Sequence, residues 1–253
     1  MRIPPLPSAI IALFLSCSAL RAESAAELIK MGDACDARLE ADAALKYYLP
    51  AKKLDPQNAA LCVSIARQYR HLMSDATTSS EKLRLGAIAL AYSHRAASLA
   101  PANSEAQLAV AITYGKMLPF EGKKEQIQDS PRIKDAVDKA IKLDPRNDTA
   151  WHVLGRWNRV LAGISPIKRA LAPLLYGKLP TATNEAAVGC FQKAIQINPD
   201  RLMHYIELGL TYAQMGRREE ARRFLTKGLA MQGSEKDDPA TKQRGREVLA
   251  KLG

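Results

Sequence analysis

Arg67 and Arg70 share their spacing with Arg156 and Arg159, and Lys116 stands between the two pairs in a chain of 253 residues. Side chains three apart lie on one face of a helix. Guanidinium groups so placed grip a carboxylate or phosphate through paired N–H bonds, each contributing about 1.5–3 kcal/mol when water is excluded. Anion recognition is therefore the chemistry these residues offer. Catalysis finds few candidates. The four histidines, His71, His94, His152 and His204, form no His-Glu-x-x-His pattern, no cysteine pair has metal or redox spacing, and neither a glycine-rich phosphate loop nor a Gly-x-Ser-x-Gly elbow occurs. The expectation is a non-enzymatic binding protein with no cofactor and no metal. His94 and His204 stand beside apolar stripes and read as structural.

Paired helices must position these groups. Trp151, Leu154 and Gly155, followed by Ala187, Phe191, Ala194 and Pro199, carry the large–small punctuation of a tetratricopeptide repeat, whose small residues let two antiparallel helices approach closely. Counting outward gives five repeats, 25–58, 59–103, 104–147, 148–201 and 202–235, and a polar helix over 238–252 that covers the last repeat. The predicted fold is all-α, a tetratricopeptide-repeat superhelical solenoid of five helix pairs plus a C-terminal capping helix. A hydrophobic content of 47% with only 6% aromatics fits, because Ala and Leu fill such crossings.

The first and fifth repeats are uninterrupted, whereas about 11, ten and 20 residues are added between the two helices of the second, third and fourth. In the second, Ser79 or Ser80 is the expected cap of the incoming helix. The third addition holds the apolar turn Leu118-Pro119-Phe120. The fourth starts at Ser165-Pro166, carries Ile167, Leu171, Leu174 and Leu175 at helical spacing, is kinked by Pro173 and stops at Gly177. Its apolar face needs cover, and a lid over the groove is the expected place for it.

With positions 4, 7, 8 and 11 of each first helix facing the core, positions 2, 5, 9, 12 and 13 lie roughly opposite and line the concave groove. That stripe reads Val63, Arg67, Arg70 and His71, then Glu105, Leu108, Ile112 and Lys116, then His152, Arg156, Arg159 and Val160. The fifth repeat adds Met203, Ile206 and Leu210, and the first adds Asp33 and Asp36. The centre holds five permanent cations and one acid beside a run of aliphatics, where an apolar tail would gain about 0.8 kcal/mol per buried methylene. The competing reading has these arginines solvated, or Arg156 and Arg159 paired with acids such as Glu185 on the neighbouring helix.

Residues 1–22 read as a secretory signal: Arg2, a short apolar stretch from Ser8 to Leu15, and a small-residue cleavage site ending at Ala22. Export to the periplasm or outside the cell is expected, with 23–253 as the mature repeat domain and no transmembrane helix in it. A lipoprotein anchor at Cys17 is the weaker alternative, since Phe14 and Leu15 suit a lipobox poorly. The formal charge is +11, of which Arg2 and Arg21 belong to the leader, leaving +9. Interleaved aromatics are missing from the basic stripe, so no nucleic acid is expected as a partner. Cys35, Cys62 and Cys190 read as buried thiols, with a Cys35–Cys62 bridge left open.

The stretch Trp151-His152-Val153-Leu154-Gly155-Arg156-Trp157, the Leu175-Tyr176-Gly177 turn, Pro180, Ala182-Thr183, and Glu185-Ala186 leading into Phe191, Lys193-Ala194 and Pro199 resemble the regulator-of-microtubule-dynamics family of tetratricopeptide proteins. The likeness continues in Arg67-Gln68-Tyr69, Lys82-Leu83-Arg84-Leu85-Gly86, and Tyr114-Gly115-Lys116 with Leu118-Pro119-Phe120, and covers essentially the whole mature chain. The resemblance implies an adaptor. Eukaryotic members are associated with organelles or microtubules, and some act at membrane contacts where the repeat domain binds phospholipid. The layout here, a leader followed directly by repeats, is most similar to compact exported bacterial members. Two functions are thus expected of one groove: binding of a protein partner or acidic peptide segment, or carriage of a phospholipid, fatty-acyl ligand or other anionic amphiphile.

Overall fold

Asparagine sets the start of three helices. Asn58, Asn103 and Asn147 sit in extended backbone, and their side chains accept from the N–H groups of Leu61, Ala106 and Ala150, closing donors that a helix start leaves open. The helices so begun, α3 (Ala59–Asp75), α5 (Ser104–Met117) and α7 (Asp148–Ala162), are each the first of a pair. Around them run α1 (Ala25–Asp36), α2 (Ala41–Leu54), α4 (Ser79–Leu99), α6 (Lys123–Leu143), α8 (Asn184–Ile197), α9 (Leu202–Gln214), α10 (Arg218–Ala230) and α11 (Asp238–Lys251). The computed structural model describes residues 24–167, 169–170 and 180–253. Among these there is no strand, and no helix is long and apolar enough to cross a membrane.

Five antiparallel pairs stack in chain order, α1 on α2, α3 on α4, α5 on α6, α7 on α8 and α9 on α10, with α11 packed on α9 and α10. This is the superhelical repeat fold, and its core is a file of small clusters between neighbouring helices. At the fourth pair Gly155 lets α7 lie against Phe191 of α8. A Cβ there would stand 2.7 Å from the ring.

Most added residues of the second and third repeats become helix: α4 and α6 are each 21 residues long. Only 76–78 connect α3 to α4, and the cap is Thr78, which accepts from Glu81 N–H, in place of Ser79 or Ser80. Leu118–Phe120 forms a single 3-10 turn before α6. Cys35, Cys62 and Cys190 are buried free thiols, so Cys35 and Cys62 are not bridged. The expected leader, Cys17, and Leu171, Pro173, Leu174, Leu175 and Gly177 of the expected lid lie outside the described residues. Of the lid's apolar face only Ile167 is described, and it is 74% exposed.

Candidate functional site

The first helices α3, α5 and α7 present their inner faces to a cavity of about 890 Å³. The superhelical turn curves the stack, and the segment between α10 and α11 closes the curve. Ser234, Glu235, Lys236 and Asp237 lie along the cavity mouth. Asp237 accepts from Ser74 Oγ at 2.8 Å and from Lys116 Nζ at 2.6 Å, while Lys236 pairs with Asp75 at 2.7 Å. The exit of the fifth repeat is thereby fastened to the first helices of the second and third.

Of the residues expected in the groove, Arg67, Arg70, His71, Ile112, Lys116, His152 and Arg156 line this cavity. Leu108, Ile206, Leu210 and Arg159 do not, which corrects the simple stripe. Leu108 is fully buried in the cluster holding Val110, Tyr114 and Trp157, because the first helix of one repeat packs against that of the next and loses position 5 to the core. Ile206 and Leu210 are covered by α11 through Val248 and Leu249. The capping helix therefore occupies the aliphatic surface that an apolar tail was expected to use. A different apolar wall replaces it, formed by Ile112, Ile127, Val153, Trp157, Val160 and Ile164.

The second-repeat cations face the cavity with little compensation. Arg67 pairs with Asp36 at 2.8 Å and is 46% exposed. Arg70 is 6% exposed and donates to Thr113 Oγ1 at 3.2 Å; none of the ion pairs among the described residues includes it. Burial, with the nearby Arg67 charge, pulls its pKa down to about 10. His71 is neutral at physiological pH, burial having lowered it to about 4, and its Nδ1 is a buried atom without a hydrogen-bond partner. Lys116 is also lowered by burial and held charged chiefly by Asp237.

The fourth-repeat pair behaves otherwise. Glu207 of α9 is 1% exposed, and its Oε2 accepts from Arg159 Nε at 3.1 Å and Nη2 at 2.7 Å. Its Oε1 accepts from Arg244 at 3.1 Å and lies 3.5 Å from Arg156 Nε, an ion pair without a hydrogen bond. Burial would push this carboxyl upward, but Arg159 and Arg156, with Arg244 behind them, hold it far below the ordinary carboxylate range. The partner is Glu207 in place of the expected Glu185. Sequence reasoning passed over Glu207, although an acid inside the run Tyr205-Ile206-Glu207-Leu208 was a visible signal for a buried ion pair.

His152 joins a second buried chain. Its Nδ1 lies 3.1 Å from His204 Nδ1, and His204 Nε2 lies 2.9 Å from Asp148 Oδ2. Asp148 can only accept when ionised, so His204 carries its proton on Nε2 and His152 donates from Nδ1. Burial lowers both rings. Burial also opposes ionisation of Asp148, yet the His204 bond and Arg201 bring it down to about 2. Among the described residues no group of three His, Cys, Asp or Glu side chains is placed to hold a metal ion.

Comparison with known proteins bears on the family and the fold. A family model described as regulator of microtubule dynamics protein 1-3 matches residues 26–253. Regulator of microtubule dynamics protein 1 of Bos taurus is 29% identical over 80% of this chain and 62% of its own length. Protein 2 of Homo sapiens is 27% identical over 74% of this chain and 46% of its own. This chain therefore spans about half to three fifths of those relatives. Among solved structures, a thermophilic tetratricopeptide protein of Thermus thermophilus superposes with a TM-score of 0.66 at 18% identity, covering 90% of this chain and all of the other. The pilF protein of Pseudomonas aeruginosa gives 0.56 at 13% identity, covering 90% and 88%. Those two likenesses concern the fold.

Proposed function

From the premise that the chain belongs to the regulator of microtubule dynamics protein 1-3 family, we propose that it is a non-enzymatic binding protein whose concave cavity holds an anionic amphiphile. One observation carries this reading: the Ser234–Asp237 segment narrows the groove to a half-open cavity of about 890 Å³, a size that suits a small ligand. Charge and apolarity both line it, with Arg156 set among the apolar residues of α7. Arg70 and Lys116 stand on the α3 and α5 side, whereas Trp157, Val160 and Ile164 come from the far end of α7 and its connection. An acyl tail against the second wall and a phosphate or carboxylate against the first would satisfy both. The relatives' name ties them to microtubule dynamics; the proposal concerns the portion they share with this chain.

The second reading is an acidic peptide segment of a protein partner, the usual cargo of a tetratricopeptide groove. It is favoured by Arg67 and Arg201, which line the cavity beside Glu105, Asp200 and Glu235 and give it a mixed polar rim. Such a peptide would need the Ser234–Asp237 segment to stand aside along the groove. Export belongs to the same proposal: cleavage near residue 22 gives a mature chain beginning near Glu23, which intact mass of secreted material checks.

Extraction of the natively purified protein into organic solvent, followed by mass spectrometry, tests the reading. Up to one equivalent of an anionic lipid or fatty acid is expected. Protein that comes off empty, and that fails to take up phosphatidic acid from mixed vesicles, overturns it.

A further inference from the structure

Asp237 occupies an unusual place for its side chain. It is the N-cap of α11, where an aspartate carboxylate ordinarily accepts from an N–H of the first turn, yet it makes no such bond. The neighbouring Asp238 instead ties the preceding turn, accepting from the N–H groups of Ser234 and Glu235 at 2.8 Å each. The Asp237 carboxylate is thus turned away from its own helix and spans to Lys116 and Ser74, 121 and 163 residues earlier in the chain. Lys116 also donates to Ser74 Oγ at 2.7 Å, so carboxylate, ammonium and hydroxyl form a closed triangle.

The two partners of this ion pair are unequally exposed. The Lys116 side chain is 18% exposed and lines the cavity, whereas Asp237 is 54% exposed at its mouth. A mostly buried ammonium needs an anion, and a half-exposed carboxylate can leave for water at small cost. Beside Lys116, the buried Arg70 guanidinium has no carboxylate partner and His71 Nδ1 has no partner at all. Asp237 is thus the carboxylate bonded directly within this cluster, Glu105 and Asp36 acting on Arg70 only from farther off, and the buried guanidinium remains open to a closer anion.

We propose that Asp237 is a built-in stand-in for the ligand's anionic group: an entering phosphate or carboxylate takes over Lys116 and Arg70, and Asp237 swings out to cap α11. This rests on the cavity reading above. The released carboxylate has an alternative partner in the first turn of α11, where Pro239 supplies no N–H and Ala240 supplies the next one. The Lys236–Asp75 and Arg201–Glu235 pairs, each about half exposed on its acidic side, are the remaining fastenings and add little by themselves. Ligand entry and opening of the 231–238 segment are accordingly one event, and a ligand lacking an anionic group does not trigger it.

The test compares full-length mature protein with Asp237→Asn, which removes the competing charge and keeps the side chain's size. The probes are dihexanoyl phosphatidic acid and, for the headgroup alone, inorganic phosphate. Wild type is expected to bind the lipid with increased amide exchange over 232–238. Asp237→Asn should bind at least about tenfold more tightly, because a like charge no longer faces the anion. Adding Lys116→Ala should cancel that gain. Lipid binding tighter than phosphate binding assigns the site to a lipid headgroup, and the reverse order, with the same Asp237→Asn gain, assigns it to a free anion. If wild type binds lipid and Asp237→Asn binds equally or more weakly, the exchange is overturned and the cavity reading stands. If neither protein binds either probe, both fall.

Discussion

The two arginine pairs occupy the same register of their helices and do opposite things. On α3, Arg67 and Arg70 meet a distant acid and a threonine, leaving one buried guanidinium facing a cavity. On α7, Arg156 and Arg159 close on a single buried carboxylate, Glu207, which a third arginine of the capping helix also reaches. The difference lies in what stands opposite. The fourth repeat is followed by α9, which carries an acid at the crossing, and by α11, which seals it. The second repeat is followed by α5, which offers Thr113 and Lys116. A repeat position therefore supplies a direction, and the neighbour decides whether a charge there is structural or available to a ligand.

Removing the shared acid breaks the comparison most severely. Glu207→Gln leaves three arginines around a neutral buried group, and a loss of about 3–5 kcal/mol is expected by urea denaturation. Reversing Arg156 and Arg159 to Glu should collapse the thermal midpoint for the same reason. If that double variant melts like wild type, α7 is no more structural than α3 and the contrast disappears.

Acid sharpens the comparison next. His71, His152 and His204 are held below their ordinary value of 6.5, so the unfolded chain binds more protons as pH falls beneath it. Stability is complete above about pH 6.5 and declines as pH falls towards their folded values, near 4 for His71. Asp148 and Glu207, depressed from ordinary values of 3.8 and 4.5, add a second loss as pH falls below those. Midpoints measured from pH 8 to 3 should fall in two stages, and His71→Asn should reduce the first, which His152 and His204 still supply, without altering the second.

Smaller effects follow on α3. Arg70→Met replaces a buried guanidinium with an apolar chain of similar length, so stability should change by no more than about 1 kcal/mol. Affinity for an anionic amphiphile should fall about tenfold, since one charge-assisted bond is lost. A variant that unfolds instead would place Arg70 with the structural pair. Smallest of all, Arg67→Ala removes an ion pair that is 46% exposed on its basic side, and a cost within about 1 kcal/mol is expected in the same urea titration.

Local signals by themselves determined the helix pairs. Gly155 opposite Phe191, Ala44, Ala89, Ala140, Ala194 and Ala221 on second helices, and prolines after each of the first four units are contacts within a repeat, and the sequence spacing carries them directly. The basic character of the inner face was legible for the same reason, since Arg67, Arg70, Lys116 and Arg156 follow helical periodicity. Tertiary structure alone decided which of those charges remain available. Arg159 and Arg156 are answered by Glu207 on another repeat and Arg244 on the cap, Ile206 and Leu210 are covered by α11, and Lys116 is met by Asp237 from 121 residues away. Those partners depend on how far the superhelix turns before the chain ends its last pair. That turn accumulates from small rotations at every helix crossing, so no single window of residues contains it.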